Sequence, residues 1–179
     1  SFNKLVEIWG NVRADDISDV SVDLSDYRKR LLDYFHVGPF YFYVFDLTTT
    51  SFEYISENMT EILGYDPATM TVQEFIEKIH PEDLPFFVEC ENSTVEFTRT
   101  LDPLDLLNYK ISYDYRVRKA DGPYVRILQQ VMTLDVDHES GMIYKTMGIH
   151  TDISNIKPVD MGNKNATLSF IGMNGKRSY

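Results

Sequence analysis

The stretch Asn108–Asp152, NYKISYDYRVRKADGPYVRILQQVMTLDVDHESGMIYKTMGIHTD, decides how the chain is read. Its first part alternates. Tyr109, Ile111, Tyr113, Tyr115 and Val117 take odd positions; Lys110, Ser112, Asp114, Arg116 and Arg118 take even ones. A period of two puts the apolar set on one sheet face and the charged set in water. Ala120-Asp121-Gly122-Pro123 breaks the run, and Asp-Gly between two such runs signals a hairpin. Tyr124–Val136 follows as a second strand, Asp137–Gly141 as a turn, and Met142–Asp152 as a third strand. An antiparallel meander with one apolar face needs a cover, and the residues before it must supply most of that cover.

At 179 residues the chain fits one domain with extensions. Its 12 Tyr and 11 Phe predict a core lined by rings, or a cavity walled by them. A formal net charge of -11 repels a phosphate backbone, so no direct nucleic-acid binding is expected. The single Cys90 excludes an internal disulfide and a Cys-rich zinc site and fits a reducing, cytoplasmic compartment. No apolar run approaches the ~20 residues of a membrane span, and no signal peptide is visible. A first residue of Ser rather than Met suggests a piece of something longer.

Phe2, Leu5, Val6 and Trp9 recur at i, i+3, i+4 and i+7, one face of a short helix. A second helix is expected over Asp26–Phe35, with Tyr27, Leu31, Tyr34 and Phe35 on one face. The two helices either pack on the sheet or form a dimer cap. Gly10-Asn11 ends the first and Val37-Gly38-Pro39 the second. Phe40–Asp46, FYFYVFD, is apolar at nearly every position and predicts a central strand buried on both faces. Phe52–Ser56 completes a hairpin. Ser56 is read as the cap of a helix over Glu57–Leu63, closed by Gly64 in a left-handed cap. Pro67–Thr69 makes one turn. Thr71-Val72-Gln73-Glu74 has capping-box spacing and opens Val72–Ile79. After the His80-Pro81-Glu82-Asp83 corner, a longer helix runs from Leu84 towards Thr100, and Asp102-Pro103 ends it. Joined to the meander, the hairpin gives five antiparallel strands covered on one face by short helices, an α+β arrangement.

Four segments, in order, carry a family likeness. They are Tyr54-Ile55-Ser56-Glu57-Asn58 running to Gly64-Tyr65, then Ile79-His80-Pro81-Glu82-Asp83, then Tyr115–Gly122, and Gly148-Ile149-His150-Thr151-Asp152-Ile153-Ser154. From about Phe40 to Lys157 the chain resembles a PAS domain, in the variant with a His-Pro-Glu-Asp corner. The aromatic first strand, the Tyr109–Gln130 run and the tail Leu168–Gly172 also look like the N-terminal sensor of LuxR-type bacterial transcription regulators. The resemblance implies three parts: an N-terminal helical extension over 1–39, a PAS sensor over 40–157, and a linker with a possible short hairpin over 158–179. It further implies a cytoplasmic homodimer coupled to a C-terminal helix-turn-helix domain outside this chain.

Within that resemblance, a small apolar or aromatic ligand is expected between Phe75, Ile79, Phe87 and the odd-numbered face of Tyr109, Ile111, Tyr113 and Tyr115. Period two sends one of Gln129 and Gln130 to each sheet face. Gln129 shares parity with Val125, Ile127 and Val131 and is assigned to the ligand side. Arg126, Leu128 and Gln130 then fall on the outer face, where relatives form dimer or signalling contacts, with Trp9 and Tyr34 as candidates to cover it. The alternative is a ligand-free dimerisation module whose rings simply fill the core. Flavin is not expected, because Cys90 lies in Val88-Glu89-Cys90-Glu91-Asn92 and flanking carboxylates disfavour a thiolate. Haem is not expected either: His36, His80, His138 and His150 are scattered without metal-ligand spacing. The Asp15-Asp16 and Glu82-Asp83 pairs are read as solvated or as complementing a helix dipole. No Gly-rich phosphate loop, nucleophile elbow or HExxH occurs, so no enzyme and no metal site are expected.

Overall fold

The computed structural model describes residues 36–137, 140, 142–162, 166–173 and, as backbone, 177–178. The expected N-terminal helices with Trp9 and Tyr34, together with His138, Gly141 and the Asn174-Gly175 turn, lie outside the described residues. The order is β1 (Phe40–Asp46), β2 (Ser51–Ile55), α1 (Asn58–Leu63), α2 (Val72–Lys78), α3 (Leu84–Thr98), α4 (Pro103–Leu106), β3 (Tyr109–Arg118), β4 (Tyr124–Val136) and β5 (Ile143–Asp152). A 3₁₀ turn (Val159–Met161), β6 (Ser169–Gly172) and β7 (Arg177–Ser178) follow. This is an α+β fold on one antiparallel sheet, ordered β2-β1-β5-β4-β3-β6-β7.

The hairpin joins the meander where β1 lies along β5, Phe40 opposite Thr151 and Asp46 opposite Lys145. Among the described residues the sheet has 7 strands, the expected five plus β6 and β7 on the β3 edge. The tail does not hang free: Ser169–Gly172 pairs with Tyr109–Ser112 and satisfies that half of the β3 edge. The other half is covered by the corner before α3. Ile79 bridges Val117, and the His80 N–H donates to the Arg116 carbonyl at 2.9 Å.

Local chemistry explains the helices. Thr71 and Glu74 complete the expected capping box, each side chain bonding the other's backbone N–H, and α2 begins there. Gly64 ends α1 at φ 80, a conformation costly for any residue with a Cβ. Ser56 does not cap α1. Its hydroxyl instead accepts the Phe42 N–H of β1 at 3.0 Å, and Glu57 takes the N-cap position with no side-chain cap bond.

Two strand expectations need correction. β1 is internal to the sheet but is not buried on both faces: Tyr41 and Tyr43 are buried, whereas Phe42 is 37% exposed. The even-numbered charges of β3 are not all in water. Asp114 and Arg116 are buried because each has a salt-bridge partner on a neighbouring segment. A paired charge tolerates burial that a bare one does not.

The core lies between the helices and one sheet face. It gathers Met59, Ile62 and Leu63 of α1, Phe75 of α2, Ile79, Cys90 of α3, and Tyr113, Tyr115, Val117 and Ile127 of the sheet.

Candidate functional site

Inside this core runs a chain of polar groups. Tyr41 on β1 and His150 on β5 are cross-strand partners, and the Tyr41 hydroxyl lies 2.7 Å from His150 Nδ1. His150 Nε2 lies 2.9 Å from Gln129 Oε1 and 3.3 Å from the Tyr115 hydroxyl. Gln129, opposite His150 on β4, also takes the Tyr115 O–H on Oε1. Its Nε2 donates to the Tyr113 hydroxyl at 2.7 Å, and Tyr113 donates to Glu91 Oε1 on α3. Tyr41, Tyr113, Tyr115, Gln129 and His150 are all buried.

The far end sets the direction of the chain. A carboxylate can only accept. Glu91 therefore requires Tyr113 to donate, which leaves the Tyr113 oxygen to accept from Gln129 Nε2. Gln129 Oε1 then faces His150 and Tyr115 and accepts from both. His150 accordingly carries its proton on Nε2, and Nδ1 accepts from Tyr41. Accepting from Tyr113, Glu91 fixes the Gln129 amide orientation two residues along the chain and the His150 tautomer three along.

Rings enclose these groups. Phe75 stacks on the His150 imidazole at 5.2 Å, and the Tyr43 ring meets it edge-on at 4.8 Å. Phe87 of α3 sits 5.2 Å from Tyr115 and 6.0 Å from Tyr113. Burial in this ring cage pulls the His150 pKa down to about 3, so the imidazole is neutral at physiological pH. Burial likewise raises the Tyr41 and Tyr115 hydroxyls well above their ordinary value. The arrangement can therefore donate and accept hydrogen bonds in a desolvated space, while holding its protons.

The sequence-derived residues distribute as follows. Phe75, Phe87, Tyr113, Tyr115 and Gln129 converge on the polar chain. Ile79 is buried where the corner meets β3, and Ile111 is half-buried against the core. Tyr109 stands apart: its ring packs on Phe97 at 5.1 Å, near the β6 end of the strand. On the outer face, Leu128 and Gln130 are half-buried. Arg126 is 0% exposed and offers no surface to a partner. It is covered by the chain's own tail: its guanidinium pairs with Asp114 at 2.6 Å and donates to the Gly162 carbonyl, while Lys157 reaches the same carboxylate at 2.9 Å.

Sequence reasoning missed Tyr41, Tyr43, Glu91 and His150. Period two could have found His150, since it shares a β5 face with Gly148 and lies opposite an aromatic position. Glu91 follows Phe87 by four residues and so shares its helix face. Glu82-Asp83 is more than dipole complementation. Asp83 is 0% exposed and accepts from the Arg116 backbone N–H at 2.8 Å and from its guanidinium at 2.6 and 3.0 Å. Burial opposes its charge, but the Arg116 bonds outweigh burial and hold its pKa below the usual carboxylate range. Cys90 is buried on α3, and burial followed by the charges of Glu91 and Glu89 pushes its thiol up to about 12. Among the described residues no cluster of His, Cys, Asp or Glu is arranged to hold a metal ion. No helix among them is long and apolar enough to cross a membrane.

No curated protein matches the chain. Among solved structures it is similar to the N-terminal domain of a diguanylate cyclase with PAS/PAC sensor from Marinobacter aquaeolei. That match has 26% identity over 65% of this chain and 96% of that one, with a TM-score of 0.48. A sensory box histidine kinase/response regulator from Burkholderia thailandensis aligns at 18% identity over 75% of this chain and 89% of that one, with a TM-score of 0.54. A PAS domain from Colwellia psychrerythraea aligns at 19% identity over 74% and 99%, with a TM-score of 0.49. A family model described as the PAS fold matches residues 52–150, from β2 through α1–α4 and the meander to the His150 that anchors the polar chain. The chain therefore belongs to the PAS fold family and carries a PAS sensor domain.

Proposed function

We propose that this PAS domain senses a small aromatic or apolar molecule with at least one hydrogen-bonding group, taken up between α2, α3 and the inner face of β3–β5. The observation that carries this reading is the buried chain Tyr41–His150–Gln129–Tyr113, with Tyr115 as a branch, which ends on the exposed Glu91. Each buried polar group costs free energy that only a hydrogen bond offsets. A core that needed packing alone would be served as well by Phe and Leu. Hydroxyl and amide groups can instead exchange a partner in the chain for a polar group of a ligand. The ring walls supply apolar contact.

Transmission follows the covalent frame. Gln129 and His150 sit on β4 and β5, and beyond the Leu128–Thr151 and Ile127–Asp152 pairs of that ladder lies the domain exit. The Ile153 N–H donates to the Arg126 carbonyl at 2.8 Å, and the Arg126 N–H to the Ser154 hydroxyl at 2.9 Å. Re-partnering Gln129 would shift β4 against β5 and be felt at Ile153–Ser154. We further propose a non-catalytic, cytoplasmic, homodimeric sensor, free of haem and flavin and coupled to a DNA-binding domain outside these residues. That coupling rests on the LuxR-type resemblance, whereas the Marinobacter and Burkholderia proteins are named as a cyclase and a kinase.

A second reading, a ligand-free interaction module, is favoured by one observation: the hydroxyls and Gln129 already bond to one another. Native mass spectrometry of freshly purified protein, paired with a near-ultraviolet and visible absorbance scan, separates the two. Extra mass lost on denaturation supports the sensor. A bare mass, a flat scan and no thermal shift from an aromatic fragment library would sink it and leave the module.

A further inference from the structure

A different surface stands unclaimed by the polar interior. β2 ends the sheet: among the described residues it pairs with β1 alone. Beside its other edge lies an open groove of about 730 Å³, walled by Phe52–Ile55 on one side and by α1 and the Asp66–Met70 loop on the other. Phe52, Met70 and the 49% exposed Tyr54 give it an apolar lining. Among the described residues no Lys or Arg lines it, whereas Glu53, Glu57, Glu61 and Asp66 do. Lys145 offsets the neighbouring Glu53 from the β1 side.

We propose that this groove docks an extended, basic segment of a partner protein, laid along β2 as an added strand. Three observations select that occupant. First, an unpaired strand edge offers a row of backbone donors and acceptors, and an extended peptide is the ligand that satisfies them. β2 carries neither Pro nor Lys, residues that commonly blunt such edges. Second, Glu57, Glu61 and Asp66 have no ion-pair partner among the described residues, so a cation that meets them displaces none of those residues. Third, the spacing fits. Glu57 and Glu61 are four residues apart, on one helix face about 6 Å apart along the axis. Alternate side chains of a strand recur every ~6.6–6.8 Å. Lysine or arginine at i and i+2 of the added strand therefore meets both carboxylates, while the intervening side chain faces away. Nucleic acid is repelled from the same wall.

The test uses the whole 179-residue chain, isotopically labelled for amide NMR. The probe is a synthetic peptide of about eight residues, alternating lysine and threonine, enough to span the edge. Two controls share its length: one alternates lysine and proline, keeping the charge but removing half the backbone donors, and one alternates glutamate and threonine. The expected result is shifts confined to Phe52–Met70, at least about tenfold weaker binding of the proline peptide, and no binding of the acidic one. The double variant Glu57→Lys/Glu61→Lys alters exposed side chains and should weaken binding by about tenfold with an unchanged melting temperature. Equal binding of the lysine–threonine and lysine–proline peptides would overturn strand addition. So would shifts scattered over the acidic surface, or undiminished affinity in the double variant. The interior-ligand reading is untouched by either result.

Discussion

The Tyr41 hydroxyl and His150 Nδ1 lie 2.7 Å apart across adjacent strands, both buried, with the imidazole neutral. This pair makes stability depend on pH in a defined window. The unfolded imidazole binds a proton near its ordinary value of 6.5, whereas the folded one resists protonation until about 3. Between those values the unfolded state holds more protons, so stability is full above about 6.5 and falls as pH drops. The slope approaches 1.4 kcal/mol per pH unit, the value for one proton. Urea denaturation from neutral to mildly acidic pH should show it. His150→Gln should lose most of that slope, whatever its stability at neutral pH. An unchanged slope would remove His150 from the acid response.

The corner before α3 predicts a contrast between adjacent carboxylates. Asp83 is sealed beneath Arg116, while the Glu82 side chain that reaches the same guanidinium is 75% exposed. Asp83→Ala strips a buried guanidinium and a strand N–H of their acceptor and should cost about 3–5 kcal/mol. Glu82→Gln should cost only ~0–1 kcal/mol, because solvent screens that pair. Hydrogen exchange should localise the Asp83→Ala defect to Arg116 and Val117, where the corner seals the β3 edge.

The meander shows why much of the fold was legible. Tyr109–Val117 alternates, Asp121-Gly122 marks the hairpin, and Tyr124–Val136 forms the strand expected of it. The capping box and Gly64 carried their own signals. Those features are local, and local chemistry fixes them. Arg126 was misread because parity assigns a side chain to a face but says nothing of what covers that face. Here Lys157 and Gly162 do, from more than thirty residues along the chain. The tail hairpin of β6 and β7 was within reach, but its docking on β3 was hidden for a related reason, since whether a short apolar tail docks depends on an open edge elsewhere. At the candidate site, Gln129 followed from parity, but the chain through Tyr41, His150 and Glu91 needs the registers of β1, β4 and β5 at once. No single window of sequence contains them.

Gly148 predicts a packing defect. It lies opposite Tyr43, whose ring crosses over it; a Cβ at Gly148 would stand 2.2 Å from the ring. The ring also contacts His150, so it has little room to retreat. Gly148→Ala should therefore cost about 1–3 kcal/mol by overpacking. In a Tyr43→Ala background the same change should be nearly neutral. A double-mutant cycle by thermal denaturation measures the coupling, and additive losses would refute the crossing as the cause.

The outer-face cluster yields an asymmetry between two partners of one ion pair. Asp114 accepts from both Arg126 and Lys157, so it retains a cation if Arg126 is removed. Arg126, fully buried, also has an Nε with no hydrogen-bond partner among the described residues. Asp114→Asn leaves that guanidinium buried without a counter-charge and should cost about 3–5 kcal/mol. Arg126→Met removes the desolvated charge together with its orphaned Nε. What it forfeits is mainly the bond to the Gly162 carbonyl, so the net change should stay within about 1.5 kcal/mol. The same bond holds the Val159–Met161 turn against β4, so Arg126→Met should raise amide exchange at residues 159–162 while sparing β3. Equal costs for the two substitutions would mean that Lys157, rather than Arg126, is the cation Asp114 holds in place.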